Sequence, residues 1–235
     1  MPTKISCQKP TLLLADDHAI VIEGLRKLLQ PEFELVGAVG DGWALLEAAE
    51  KLRPDVIVVD VSMPLLNGID AIRRLKSAGL PSKVVILSMH LDAEIATEAF
   101  RAGASGYELK HSATGALSSA ICEALAGRTF ISPRIAQSVT SNLMQSSHGD
   151  EGFSVRLTQR EREVLQLVAE GRTIRGIAEI LQIAVRTVVF HKSNIMDKVG
   201  ARTTADLTQH AIKSGLISLQ WATSYDGLRE TGVRS

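Results

Sequence analysis

Residues 55–64 read DVIVVDVSMP, and this short stretch decides the fold. The four residues before Asp60 are apolar and mostly β-branched, which is typical of a strand buried on both faces of a parallel sheet. A carboxylate, Asp60, follows where that strand ends. The carboxyl ends of parallel strands form the ligand-binding edge of an open sheet. The stretch therefore predicts an α/β domain with Asp60 at its binding edge.

The neighbouring sequence repeats the same alternation of strand and helix. Further short apolar runs lie at 11–15, 35–39, 83–87 and, more weakly, 106–109. Stretches with helical spacing lie at 19–30, 42–52, 69–78, 93–102 and 113–126. Five repeats of strand then helix predict a doubly wound domain with a five-stranded parallel sheet. We place this domain at residues 10–130.

The chain changes character after the sheet. Residues 137–153 hold many serines and glycines and few apolar residues, so we predict a linker at 131–153. An all-α four-helix domain is expected at 154–219, and a polar tail at 220–235.

The first helix of that domain opens with Thr158 and Glu161, which have the spacing of a capping box. Further helical stretches lie at 174–181, 186–199 and 204–214. The stretches at 174–181 and 186–199 have the proportions of a helix-turn-helix.

The balance of basic and acidic residues also changes at the predicted boundary between the two domains. The whole chain of 235 residues is formally neutral, but residues 154–235 carry 12 Lys and Arg against 8 Asp and Glu, whereas residues 1–153 carry 14 against 18. This asymmetry favours two domains with different partners. Cys7 and Cys122 have no metal or redox spacing. Because no apolar run approaches the roughly 20 residues of a membrane helix, we expect a cytoplasmic protein that does not contact the membrane.

Polar residues follow the ends of four predicted strands. Asp16 and Asp17 follow the first, Asp60 the third, Ser88 the fourth and Lys110 the fifth. Three carboxylates at one edge repel one another unless a cation neutralises them. Mg²⁺ takes such oxygen ligands and leaves positions for water and phosphate. The edge therefore predicts a magnesium site.

These motifs resemble those of the receiver domains of bacterial two-component response regulators. The resemblance covers about residues 12–126 and implies a flavodoxin-like receiver. It rests on the adjacent Asp16 and Asp17, the run 60–64, Ser88 and the run 106–110.

The receiver resemblance implies a role for each motif residue. Asp60 would accept a phosphoryl group from a sensor histidine kinase, and Lys110 would pair with a phosphoryl oxygen. Ser88 and Tyr107 would form a switch pair, in which Tyr107 turns inward after phosphorylation. The Mg²⁺ ligands would be Asp16, Asp17, Asp60 and the backbone carbonyl of Ser62. We interpret His18 as a surface or capping residue, not as a metal ligand.

The helical region resembles the DNA-binding domain of the LuxR or NarL/FixJ class over about residues 156–217. The matching runs are 157–165, 170–171, 177–179, 186–188 and 191–196. The resemblance implies a transcription regulator, not an enzyme, that binds double-stranded DNA as a phosphorylation-dependent homodimer. The second helix of the helix-turn-helix would enter the major groove. Its expected DNA-contacting residues are Arg186, Thr187, Val189, Phe190, Lys192 and Ser193. We place a partner surface on Leu207, His210, Ala211 and Ser214 of the last helix.

Some positions depart from the LuxR pattern. Ala184 stands where a capping Ser or Thr is usual, and loss of such a cap typically costs about 1 kcal/mol. Val189 and Phe190 cannot form hydrogen bonds with base edges. We therefore expect an unusually apolar reading face, with affinity resting on phosphate contacts and dimerisation.

Two other classes of protein fit parts of the pattern. A Mg²⁺-dependent phosphatase or transferase would also use an aspartate nucleophile, but such enzymes carry it after the first strand in an Asp-x-Asp pattern. A regulator whose helical domain binds proteins would not need DNA contacts. Turnover on small phosphoesters would identify the enzyme, and a gel shift with genomic fragments would distinguish DNA binding from protein binding.

Overall fold

The computed structural model describes residues 9–89, 91–111, 114–146 and 157–217, which form an α/β domain and a helical domain. The strands are β1 (Thr11–Ala15), β2 (Glu34–Val39), β3 (Val56–Asp60), β4 (Lys83–Ser88), β5 (Gly106–Leu109) and β6 (Phe130–Ile131). The helices of the first domain are α1 (Ala19–Leu29), α2 (Gly42–Leu52), α3 (Gly68–Ser77), α4 (Ala93–Ala102), α5 (Thr114–Leu125) and α6 (Ala136–Ser146). Those of the second are α7 (Gln159–Ala169), α8 (Ile174–Ile180), α9 (Val185–Val199) and α10 (Thr204–Lys213).

The first domain is built on one parallel sheet with the strand order β2-β1-β3-β4-β5-β6. Every residue of β3 is buried, as its continuous apolar run predicts. Separate apolar cores cover the two faces of the sheet, one with α2, α3 and α4 and the other with α1 and α5. The predicted doubly wound α/β fold is confirmed.

The sheet has six strands, one more than the five predicted. β6 pairs Phe130 and Ile131 with Gly106 and Tyr107 at the edge of the sheet. A strand of two residues is too short to show the periodicity by which strands are recognised in sequence.

The predicted linker contains a helix. Residues 136–146 form α6, which packs on α4, and Ile135 and Val139 are buried in the core of the first domain. Ile135 and Val139 are four positions apart in a segment that is rich in serine, so the composition of the segment does not indicate an apolar helix face. The rest of the predicted linker, 147–153, and the predicted tail, 220–235, lie outside the described residues.

The helical domain forms around a third apolar core. The predicted capping box at Thr158 and Glu161 is confirmed, with both reciprocal hydrogen bonds present. Val188 and Ile195 of α9 are buried in this core, and their spacing of seven residues places them on one face of the helix.

The partner surface predicted on the last helix is wrong in part. Leu207 and Ala211 are fully buried against the core of their own domain, so they cannot face a second chain. His210 is partly exposed and Ser214 is exposed. The 3.6-residue period shows that α10 has an apolar face, but it does not show which surface covers that face.

The two domains contact each other through α7, which lies against the loop after β3 and against α3. Among the described residues, no helix is both long enough and apolar enough to span a membrane.

Candidate functional site

The sheet brings the predicted site residues together at one edge. β1 and β3 are neighbours, so Asp16 and Asp60 follow adjacent strands, and Lys110 follows β5. The Lys110 Nζ lies 2.6 Å from Asp16 Oδ2 and 3.1 Å from Asp60 Oδ2. One ammonium therefore bridges carboxylates that are 44 positions apart in the chain, inside a largely buried pocket.

The same edge holds a cluster of possible metal ligands. Asp16, Asp17, His18 and Asp60 each offer one ligand atom, and these atoms all lie within 4.8 Å of one another. His18 occupies the N-cap position of α1 without a side-chain cap bond. Its Nδ1 instead lies 2.8 Å from Asp17 Oδ1 and 3.1 Å from Asp16 Oδ1. The three carboxylates supply the hard oxygen atoms that Mg²⁺ prefers, so the donor set fits this ion.

Burial and neighbouring charges set the protonation of the two central groups. Burial raises the pKa of Asp60, and repulsion by Asp16 adds to this effect, while the attraction of Lys110 opposes it. For Lys110, burial alone would lower the pKa, but attraction to Asp60 and the bond to Asp16 outweigh burial and raise it. Lys110 is therefore a permanent positive charge in the pocket.

Ser88 and Tyr107 are already in contact. Both are fully buried, and the Ser88 hydroxyl is hydrogen-bonded to the phenol of Tyr107. Burial raises the pKa of Tyr107 to about 12, although the bond to Ser88 acts in the opposite direction. The resemblance leads us to expect that Tyr107 turns inward after phosphorylation, and in this structure its ring, on β5, already lies inside the domain.

The loop after β3, residues 61–67, contains a feature that the sequence analysis missed. α3 begins so close to β3 that a Cβ on Gly68 would lie 2.1 Å from the carbonyl oxygen of Asp60. Glycine is therefore required at position 68 for the helix to approach the strand. Asn67 caps α3 by accepting a hydrogen bond from the backbone N–H of Asp70. Asn67 followed by glycine is the sequence signal that could have indicated this turn. Ser62, the proposed carbonyl ligand, is buried in the same loop.

The second candidate site is the outer face of α9. Arg186, Val189, Phe190 and Ser193 are all exposed, and Val189 and Phe190 retain 53% and 62% of their accessible surface. Large apolar side chains are seldom left this exposed side by side without a partner. Thr187 is half-buried beside them. The predicted reading face is thus directed away from the core of its own domain.

The remaining predicted DNA contact, Lys192, is positioned by α10. Its Nζ donates a hydrogen bond to Thr204 Oγ1 over 3.1 Å. At the start of α9, Ala184 has the extended backbone of a cap but makes no side-chain cap bond. The described α9 therefore begins without the hydroxyl that Thr158, Thr173 and Thr203 supply to α7, α8 and α10.

Comparison with known proteins identifies both domains. Residues 12–122 match the response regulator receiver domain, and residues 155–211 match the bacterial regulatory proteins of the luxR family. The chain is 33% identical over 236 residues to the transcriptional regulatory protein DegU of Brevibacillus brevis, which covers 94% of this chain and 100% of DegU.

Solved structures of RcsB resemble this chain over both domains. RcsB from Salmonella enterica serovar Typhimurium, bound to promoter rprA in the presence of the phosphomimetic BeF3-, is 28% identical with a TM-score of 0.59, over 86% of this chain and 98% of that one. A structure of two RcsB dimers bound to two parallel DNAs is 27% identical with a TM-score of 0.54, and the match covers 88% of this chain and 99% of that one. The family consists of DNA-binding regulators and not of enzymes. With a receiver domain followed by a LuxR-type domain, this chain belongs to the NarL/FixJ class of response regulators, which regulate transcription in two-component systems.

Proposed function

We propose that Asp60 accepts a phosphoryl group from a sensor histidine kinase and that this modification controls dimerisation and transcription of target genes. The observation that carries the proposal is the bridging of Asp16 and Asp60 by Lys110 at the carboxyl edge of the sheet. Phosphoryl transfer requires a nucleophile and positive charge close to the phosphoryl oxygens. Asp60 supplies the nucleophile, and Lys110 supplies part of the charge.

Mg²⁺ is the cofactor of the proposed reaction. Asp16, Asp17, Asp60 and the backbone carbonyl of Ser62 would hold it, and the bound ion would neutralise charge that develops on the phosphoryl group. An ionised Asp60 needs no general base, because its oxygen attacks phosphorus directly; the bond from phosphorus to the histidine nitrogen of the kinase breaks, the histidine leaves, and Asp60 becomes an acyl phosphate. Lys110 then exchanges a carboxylate partner for a phosphoryl oxygen, and Ser88 and Tyr107 are the switch residues that respond to it.

The DNA-binding part of the proposal rests on α9. Arg186, Thr187 and Lys192 contact phosphates, which position the helix, and Ser193 bonds a base edge. Val189 and Phe190 contact thymine methyl groups. The protein acts as a homodimer, since one helix-turn-helix covers a single half-site and RcsB dimers bind DNA. A cytoplasmic location follows from a partner that is chromosomal DNA.

The first prediction tests the nucleophile. An acyl-phosphate donor with Mg²⁺ should add one phosphoryl group to the chain, and Asp60→Asn should abolish the addition because an amide is not a nucleophile at phosphorus. Mass spectrometry of the intact protein measures the label. Asp197→Asn makes the same change at an exposed position and should be labelled normally. Normal labelling of Asp60→Asn would show that another residue is the acceptor.

The second prediction separates phosphate contacts from base contacts on α9. Lys192→Ala should weaken binding to all duplexes and reduce the salt dependence, because one phosphate contact is lost. Phe190→Ala should lower preference for the specific site by about 1–3 kcal/mol if the ring contacts a base. Salt titrations with specific and random duplexes measure both effects. If neither variant changes either affinity, α9 is not the helix in the groove.

A further inference from the structure

The ring of His18 is turned toward the carboxylates of the candidate metal site. Its Nδ1 lies 2.8 Å from Asp17 Oδ1 and 3.1 Å from Asp16 Oδ1. The backbone N–H of His18 also donates a hydrogen bond of 2.9 Å to Asp16 Oδ1. At the start of α1 the residue has the extended backbone of a cap, but its side chain makes no cap bond to the helix. The position of the ring therefore favours a role at the carboxylates over the surface or capping role that we expect from the sequence.

The spacing of the ligand atoms suits a single bound ion. Zn²⁺ binds nitrogen and oxygen ligands at about 2.1 Å, so two ligands at right angles lie roughly 3.0 Å apart and two opposite ligands roughly 4.2 Å apart. His18 Nδ1 and its two carboxylate neighbours are already close to the shorter of these separations. The ligand atoms of the whole cluster, one from each of the three aspartates and one from His18, all lie within 4.8 Å of one another. Modest side-chain rotations therefore bring all of them to one ion.

Lys110 contacts a different side of these carboxylates from His18. Its Nζ contacts the Oδ2 atoms of Asp16 and Asp60, whereas His18 contacts Oδ1 of Asp16. The three carboxylates and the one ammonium leave two negative charges uncompensated, which one divalent ion neutralises. The side chain of His18 is 41% exposed, so this side of the site opens to solvent and an ion can enter without displacing Lys110.

An imidazole nitrogen changes which ion such a site prefers. Carboxylate oxygens suit hard ions such as Mg²⁺, whereas imidazole suits iron, nickel, copper and zinc. Mg²⁺ gains little from a nitrogen ligand, because it prefers oxygen and retains several water molecules. One nitrogen and three carboxylates are therefore a donor set that binds a divalent transition-metal ion more tightly than Mg²⁺. In that complex His18 has its proton on Nε2 and donates the lone pair of Nδ1.

We propose that His18 is a metal ligand and that the Asp60 site takes a divalent transition-metal ion in preference to Mg²⁺. The inference rests on the proposed function, since the ion occupies the metal site of the phosphoacceptor. The three aspartates bind either kind of ion, and His18 is the ligand that distinguishes them. The site then binds the transition-metal ion at free concentrations well below those that Mg²⁺ requires.

The test compares the binding of Co²⁺ and Mg²⁺ to the whole chain. The unpaired electrons of Co²⁺ shift the proton NMR signals of its ligands, so ligation by a histidine is observed directly. The parent is compared with His18→Gln, which removes the nitrogen ligand, and with His111→Gln. His111 is exposed, follows Lys110 at the same edge of the sheet and does not belong to the cluster, so it is the matched control. Equilibrium dialysis measures the affinity of each protein for each ion.

The parent should bind Co²⁺ more tightly than Mg²⁺. His18→Gln should weaken Co²⁺ binding by roughly 10-fold or more, because even the outer partners of metal ligands are worth about 10- to 100-fold in affinity. Its Mg²⁺ binding should be nearly unchanged. With Co²⁺, the parent should show a strongly shifted, exchangeable signal from the Nε2 proton of His18, and His18→Gln should lack this signal. His111→Gln should match the parent in every measurement, and Asp17→Asn should weaken the binding of both ions.

An equal loss of Co²⁺ and Mg²⁺ affinity in His18→Gln would overturn the inference, because His18 would then only position the carboxylates. A parent that binds both ions equally tightly would overturn it too, and so would Co²⁺ binding that Asp17→Asn does not weaken, since the ion would then lie elsewhere.

The proposed function is tested separately, by Mg²⁺-dependent labelling of Asp60 with an acyl-phosphate donor. If that labelling is normal while His18→Gln affects both ions equally, the metal preference alone is refuted. If the parent binds neither ion and is not labelled, the proposed function and the metal preference are both refuted.

Discussion

Ser88 and Tyr107 illustrate how burial sets the behaviour of single residues at the sheet edge. Tyr107 is among the largest fully buried side chains of the described chain, and its hydroxyl is bonded to Ser88. A buried hydroxyl without a partner is costly, so the bond between these two residues contributes to stability, besides the switch role that we propose for them. The switch proposed for these residues therefore starts from a satisfied and inward-turned tyrosine.

Ser88→Ala should consequently have two effects. Loss of the bond should lower the free energy of unfolding by about 1–2 kcal/mol, because the Tyr107 hydroxyl loses a buried partner. The variant should still accept phosphate, yet its change in oligomeric state should be weak. Urea unfolding and size-exclusion chromatography measure these properties, with the exposed Ser77→Ala as the matched control. A normal oligomeric response in Ser88→Ala would count against the switch pair.

Among the secondary-structure elements, α9 has an unusual beginning. The backbone at Ala184 is extended, as a cap requires, but alanine cannot accept a bond from the first turn. The other three described helices of the domain begin with a threonine that does. α9 thus depends on the burial of Val188 and Ile195 for its stability.

Restoring the cap should stabilise the helical domain. Ala184→Ser should raise the free energy of unfolding by about 1 kcal/mol, because its hydroxyl can accept a hydrogen bond from the first turn of α9. Ala205→Ser, at an exposed position inside α10, should give no such gain. Urea unfolding of both variants at one pH compares them. Equal stability of Ala184→Ser and the parent would show that water already satisfies the first turn.

At the scale of the whole molecule, the contact between the domains places a buried carboxylate where pH can act on it. Burial raises the pKa of Glu170 above its ordinary 4.5, although bonds from Gln166 and Leu65 and the attraction of Arg172 act against this. In a state with the domains apart, Glu170 would meet water and its pKa would return toward the ordinary value. The docked state therefore binds the proton more tightly than the separated state.

Docking should therefore depend on pH in a definite direction. The protonated Glu170 stabilises the contact between the domains, and this stabilisation is fully present below the ordinary pKa of the group. It is lost as the pH rises through the raised pKa, because the buried carboxyl group must then ionise. Glu170→Gln cannot ionise and should remove this dependence, keeping the domains docked at higher pH. Trp43, which packs against the cores of both domains, reports this dependence through its emission as the pH is raised from the ordinary pKa of 4.5. The exposed Glu179→Gln should match the parent, and an identical pH profile for Glu170→Gln would exclude Glu170 as the group responsible.

The sequence by itself determined the features that depend on local spacing. Apolar runs and helical periods predicted the parallel sheet, and chain order placed Asp16, Asp60, Ser88 and Lys110 at strand ends that meet at one edge. Local spacing also predicted the capping box at Thr158, because its two reciprocal bonds join residues three apart. Such features are visible in sequence since their period or position is set within a few residues.

Only the tertiary structure decided the features that join distant parts of the chain. Gln166 is the one polar residue in the apolar run 164–169 of α7, and its partner Asn67 lies 99 positions away, so no local pattern marks the contact. The close approach of Gly68 to Asp60 and the burial of Leu207 depend on which surfaces meet. Periodicity shows that a surface is apolar or polar, but packing selects the surface that covers it.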